Sequence, residues 1–190
     1  MIRRVSKGNY GYLKYRKITL LMKLLFVLLG ILILMIAGIM ATKSRNNLLT
    51  VVAVLSTLPL ANVAVILFAV YPYKSRPREE YEKVKAIAKD GLFNTELIIT
   101  SKTDRTMEIN YAYIHPKGVL CYSVNERLNT NTTQRYIESM LSMNGVPTVV
   151  KVFKDFKPFL NRLSDLEPIQ RETCDEDLLR IEGVLRAIAI

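Results

Sequence analysis

Acidic residues are missing from the first 78 positions of this 190-residue sequence, and the whole of it holds one histidine, two cysteines and no tryptophan. Each shortage removes a class of function. A single histidine, His115, excludes a zinc site built from several histidines. Its place directly before Pro116 reads as a turn residue rather than the base of a Ser-His-Asp triad. Cys121 and Cys174 supply no disulfide framework and no metal-spaced pair. Both read as free thiols, Cys121 as a small buried side chain. There is no glycine-rich phosphate loop, internal repeat or low-complexity tract.

Long apolar runs are what the sequence has instead. Residues 18–40 and 48–70 are 23 residues each, and Lys23 is the only charge in either. A helix of that length reaches roughly 34 Å, enough to cross a hydrocarbon core of about 30 Å. Residues 41–47 are too few for more than a turn between antiparallel helices. The expected organisation is therefore a basic tail (1–17), a first transmembrane helix (18–40), an extracytoplasmic loop (41–47), a second transmembrane helix (48–70), a linker with Pro72 and Pro77 (71–78), and a cytoplasmic domain (79–190). The basic start followed by an apolar run also fits a signal peptide, but the run is too long, lacks a small-x-small cleavage site and is followed at once by a second span. An uncleaved anchor is the expectation. Gly30 and Gly38 are positioned to let the two helices approach. Pro59 should kink the second, with Ser56 and Thr57 taking up freed backbone groups.

Charge follows the same division. Residues 1–78 carry 12 Lys/Arg, and residues 79–190 carry 15 Lys/Arg against 17 Asp/Glu. The net charge of +10 thus lies wholly beside the apolar runs. Anionic lipid headgroups and the positive-inside rule account for it better than nucleic acid does. Arg3, Arg4, Lys14, Arg16, Lys17, Lys23, Lys74, Arg76 and Arg78 are the expected membrane-interface residues. Tyr10, Tyr12 and Tyr15 fit an aromatic belt beside them. Both flanks of the hairpin are more basic than the loop, which carries only Lys43 and Arg45, so both are assigned to the cytoplasm. With no acidic group in the runs, a pore or proton relay lacks the polar groups it needs.

The remainder reads as α+β. Helix formers fill 79–89, with Tyr81, Val84, Ile87 and Ala88 on one face. A short strand is expected at 96–100. Alternation over 107–114 puts Met107, Ile109, Tyr111 and Tyr113 on one face of a second strand. His115-Pro116-Lys117-Gly118 has turn chemistry, and 119–124 completes a hairpin. A helix at 132–143 stops at Asn144-Gly145, and the β-branched run 148–153 reads as a buried strand. A helix started by Pro158 follows. The last helix opens on Thr173-Cys174-Asp175-Glu176, a capping-box pattern, and carries a stripe of Leu178, Ile181, Leu185 and Ile188 that is expected to pack on this domain, with a dimer or partner contact as the alternative. The order α-β-β-β-α-β plus two helices packs most simply as a mixed sheet covered by helices.

This order resembles the core of the restriction-endonuclease-like fold, and residues 82–153 resemble the nuclease-related domain (NERD) family, which commonly accompanies bacterial transmembrane helices. The family pattern is a helix with a glutamate, a strand with an acidic "ID" step, a Pro-x-Gly-type turn and a strand ending in Glu-x-Lys. The matching residues are Glu82, Glu108-Ile109-Asn110, Pro116-Lys117-Gly118-Val119 and Ser123-Val124-Asn125, with Gln134 where the family often has a glutamine. The resemblance implies a Mg²⁺ site held by an aspartate and a glutamate, with a lysine beside the attacking water. Asn110, Ser123 and Asn125 stand at those three positions, and none carries charge. Glu108 is placed on the strand face opposite Asn110, out of reach as a substitute.

The reading that follows is a multi-pass membrane protein whose nuclease-like domain serves binding or assembly, with no catalytic residues, metal or cofactor. Its partners are the lipid bilayer, anionic headgroups, and a second protein or a second copy of itself. Residues 125–131 and the terminal helix stripe are the candidate contact surfaces. One alternative is a membrane-bound metal-dependent nuclease with a displaced site using Glu82, Glu108 and Lys117 or Lys102. A second is an oligomeric transport or channel subunit.

Overall fold

A computed structural model describes residues 5–43, 47–89, 91–101, 106–167 and 175–190. The chain divides into two compact units, one formed by Leu13–Lys74 and the other by Met1–Tyr12 together with Ser75–Ile190.

The first unit is helical. α1 runs Tyr12–Thr42, α2 Leu48–Leu55 and α3 Thr57–Val70. Two stretches, Tyr12–Thr42 and Leu48–Val70, are long and apolar enough to cross a membrane. Their large side chains point outward, Phe26 and Phe68 being 79% and 75% exposed. That is the reverse of a soluble core and suits contact with lipid. α1 starts earlier than expected, immediately after Gly11, and so includes much of the basic tail. The anticipated break in the second run falls at Ser56, three residues before Pro59. Proline has no N–H for the carbonyl one turn back and its ring crowds it. The Ser56 and Thr57 hydroxyls donate to the Val52 and Val54 carbonyls at 2.8 and 2.6 Å. Gly38 is a point of close approach, because a Cβ there would lie 2.6 Å from Asn47 Oδ1 and 3.0 Å from Leu49 Cβ. Gly30 is not, with open space around it. Lys17 Nζ donates to the Tyr71 carbonyl at 2.7 Å and to the Tyr73 carbonyl, and lies over the Tyr71 ring. A cation thus serves the carbonyl end of α3, where the helix dipole favours it.

The second unit is α/β. After α4 (Arg78–Ala88) come β1 (Leu92–Ile99), β2 (Met107–His115), β3 (Gly118–Tyr122), α5 (Thr130–Met143), β4 (Val150–Phe153), α6 (Phe156–Ser164) and α7 (Glu176–Ile188). The strands form one mixed sheet in the order β1-β2-β3-β4, antiparallel except for the parallel β3/β4 pair. α5 joins those two as the crossover that a parallel pair requires. Every residue of β2 is buried. One face packs on α5 and α7 through Ile137, Leu141, Ile181 and Leu185. The other packs on α4 and α6 through Val84, Ala88, Phe159 and Leu163, with Tyr111, Tyr113 and Tyr122 beneath. The α7 stripe is therefore interior.

Two sequence expectations fail in β1 and β2 for one reason. Met107 and Ile109 face the α5/α7 side, whereas Tyr111 and Tyr113 face α4 and α6. On β1, Leu92 and Leu97 lie on the same side although they are five positions apart. The pairing register runs unbroken on both sides of this point, from Thr95↔Tyr111 to Leu97↔Ile109. Between them Glu96 has φ 56°, in the left-handed region that costs a non-glycine residue about 1–2 kcal/mol. The pleat is reset there, and strict alternation no longer predicts the faces. β1 also starts earlier than expected, because Asn94, Thr95 and Glu96 are buried despite their polarity. α6 begins two residues before Pro158, which sits in the first turn where its missing N–H costs nothing. Thr173 and Cys174 of the anticipated capping box lie outside the described residues; Asp175 is the N-cap position of α7.

Candidate functional site

Asn110, Ser123 and Asn125 lie where β2 begins and β3 ends, and each accepts a main-chain N–H. Asn110 is buried in β2. Its Oδ1 accepts from the Val124 N–H at 2.8 Å, and its Nδ2 donates to Glu108 Oε1 at 2.9 Å. Glu108 and Asn110 therefore meet, and the expectation that they face apart is wrong: residues two apart on a strand share a side. Ser123 is fully buried, and its hydroxyl accepts from the Asn125 N–H at 3.2 Å. Asn125 Oδ1 accepts in turn from the Arg127 N–H at 3.1 Å, and its carbonyl from the Leu128 N–H at 3.0 Å. Short polar side chains that bond main chain two residues on are turn formers. Here they steer the chain from β3 towards α5, and Leu128 is buried as the anchor of that turn.

Gln134 and Glu138 extend the pattern to the sheet edge. They lie one turn apart on α5, so both point to one side. Gln134 Oε1 accepts from the Val152 N–H at 3.2 Å, and Glu138 Oε1 from the Val150 N–H at 2.9 Å. Alternate amides of a strand point to the same edge, so these two side chains close the otherwise open side of β4.

The described residues of a displaced site are spread over different elements. Glu82 is on α4, half exposed and paired with Arg78 at 3.4 Å. Lys117 follows the far end of β2 from Glu108, about 23 Å away at the usual rise per strand residue. Lys102 lies outside the described residues. Among the described residues, no three His, Cys, Asp or Glu side chains group as metal ligands. Asn110, Ser123 and Asn125 offer one amide oxygen, one hydroxyl and another amide oxygen, each already accepting an N–H. With Glu108 the one carboxylate beside them, already accepting from Asn110 Nδ2, that set does not fit a hard divalent cation, which favours several carboxylates.

The interface residues divide between the units. Lys14, Arg16, Lys17 and Lys23 are on α1, Lys74 follows α3, and Arg3 and Arg4 lie outside the described residues. Arg76 and Arg78 belong to the α/β unit. Arg76 holds Glu80 through two hydrogen bonds of 2.9 and 2.7 Å. Burial, followed by the nearby Glu80 carboxylate, raises the Tyr111 phenol above its ordinary value, and burial chiefly raises Tyr122. Burial alone pushes the Cys121 thiol up to about 12, which makes it inert at neutral pH. His115 is lowered, first by burial; its Nδ1 accepts from the Lys117 N–H at 3.1 Å, closing the β2–β3 turn.

One group was missed entirely. Tyr10 and Tyr12, assigned to the lipid interface, belong to the α/β unit together with the residues around Gly8. Tyr10 stacks on Tyr81 with ring centroids 4.5 Å apart. The available signal was the pair Gly8 and Gly11 in an otherwise basic tail. No family model, curated protein or solved structure matches the chain.

Proposed function

We propose that this chain is an integral membrane protein that spans the bilayer twice and presents on the cytoplasmic side a non-catalytic, nuclease-like α/β domain used for binding or assembly. The observation that carries the non-catalytic reading is the engagement of Asn110, Ser123 and Asn125. Their oxygens accept main-chain N–H groups at 2.8–3.2 Å, where the NERD-like pattern would have an aspartate, a glutamate and a lysine. The membrane reading rests on the two long apolar helices with outward-facing side chains. Cytoplasmic placement rests on the basic flanks. Of the two contact surfaces considered, α7 is spent on the core, and the polar turn with exposed Glu126, Arg127 and Asn129 is left for a partner.

The test is the full chain in detergent with Mg²⁺ or Mn²⁺ and mixed DNA and RNA. No cleavage is expected. Cleavage that survives Asn110→Ala and Ser123→Ala but is lost in Glu82→Ala would establish a displaced nuclease site instead.

A further inference from the structure

β1 is the second edge of the sheet, and two remote pieces of chain cover it. The Thr95 N–H donates to the Gly8 carbonyl at 2.8 Å, forming an antiparallel bridge, and the Ile190 N–H donates to the Ile98 carbonyl at 2.8 Å beside a bridge between Ile99 and Ala189. Lys7 Nζ joins the two pieces by donating to the Ala189 carbonyl at 2.7 Å. Between them the Glu96 carboxylate accepts from the Gly11 N–H at 3.0 Å, and the Tyr10 hydroxyl donates to the Arg76 carbonyl at 2.9 Å. The left-handed backbone at Glu96 and this carboxylate contact coincide. The seat admits only glycine at position 8. Its φ is 84°, and a Cβ would overlap Asn94 Oδ1 and lie 2.9 Å from Arg186 Nε. Asn94 is completely buried below it and accepts from Arg186 Nε at 2.9 Å, while Arg186 also holds the buried Glu182 at 2.7 Å.

We infer that residues 5–11 are a built-in strap of the α/β domain that closes the β1 edge in the same chain, so that the segment before the first span and the domain after the second are held on one face of the bilayer. This goes beyond the binding reading and stands whether or not the domain has a partner. The chain passes between the two units twice, at residues 12–13 and 74–75, and a strap folded into the domain makes both crossings start from the same body. An even number of spans is then required by the fold of the soluble unit, independently of the charge rule. The strap also denies β1 to any foreign strand, since the amide that would pair with one is already used.

The experiment is residue-resolved hydrogen exchange on the full chain in lipid nanodiscs, for wild type, Gly8→Val and Tyr10→Ala. In Gly8→Val the Thr95 and Gly11 amides are expected to exchange at least about tenfold faster, while Ala112 and Leu120 in the centre of the sheet stay protected. Tyr10→Ala, which keeps the backbone seat, should give a smaller acceleration at the same two amides and covers the case in which Gly8→Val fails to fold. Unchanged exchange at Thr95 in both variants overturns the strap. Thr95 protection that falls on dilution into empty lipid overturns its placement within one chain and assigns it to a second copy. In a Cys174→Ser background, Ser6→Cys and Lys157→Cys should react with an impermeant maleimide in vesicles of the same orientation. Labelling in opposite orientations contradicts the shared face.

Discussion

The two edges of the sheet are closed by opposite means. On the β4 side the closing groups are side chains from the helix just before it, Gln134 and Glu138, which are 18 and 12 residues from the amides they receive. On the β1 side they are main-chain groups of Gly8 and Ile190, 87 and 92 positions away from their partners. A local closure forms as soon as α5 docks. A remote one needs the whole domain, and with it the residues that precede the first apolar run. The β4 side should therefore tolerate single substitutions, and the β1 side should respond to changes in a segment that looks like a membrane tail.

The largest effect should come from neither edge but from the central corner where Asn110 of β2 holds the chain leaving β3. Asn110→Ala removes the acceptor of the Val124 N–H and one donor to Glu108 Oε1, at about 1–3 kcal/mol. Cys121 reports this directly in the Cys174→Ser background, because its buried thiol reacts only when the α/β unit opens. Its modification in urea should shift to clearly lower denaturant. A midpoint unchanged from wild type would show that Asn110 is not a structural bridge.

Next in size is the β1 side. Tyr10→Ala removes the stack on Tyr81 and the bond to the Arg76 carbonyl, roughly 1–2 kcal/mol together. The same thiol assay should register it, although Tyr10 precedes the apolar runs. Gln134→Ala follows, at about 0.5–1.5 kcal/mol, with faster exchange at Val152 and none at Thr95. If Gln134→Ala and Tyr10→Ala accelerate the same amides, the two closures are one cooperative unit and the contrast between them fails.

The smallest effect is a pH dependence at the β2–β3 turn. Burial lowers the His115 pKa in the folded chain, so the unfolded chain binds the extra proton first. Stability from this group is complete above the ordinary value near 6.5 and is lost as pH falls below it, by at most about 1.4 kcal/mol per pH unit. Protonation also costs the Lys117 N–H its acceptor. His115→Gln should flatten the stability profile between pH 6.5 and 5 relative to wild type; parallel profiles would refute the assignment.

These contrasts also explain what could be read from the sequence. The apolar runs, the element order and the interior stripe of α7 follow from periodicity and length, which short-range physics sets. The second-run break was legible in Pro59, although it falls at Ser56. The faces of β2 were not, because they depend on a left-handed backbone at Glu96 in a neighbouring strand. Nor was β1 legible over Leu92–Thr95, since Asn94 and Thr95 are polar and are buried only beneath Gly8 and Arg186. For the candidate site, the loss of charge at Asn110, Ser123 and Asn125 was plain. Their use as main-chain acceptors was not, because a sequence does not say which N–H a side chain meets.

What Asn110, Ser123 and Asn125 hold separates a main-chain support from a metal site. The direct measurement is the thermal unfolding of the α/β unit in the full chain, followed by Cys121 exposure, during titration with Mg²⁺ and then Mn²⁺. A ligand bound only by the folded state raises the midpoint as it saturates. The midpoint is expected to stay where it is at all concentrations of either ion. A saturable rise that disappears in Asn110→Ala would contradict the account and return the corner to metal chemistry.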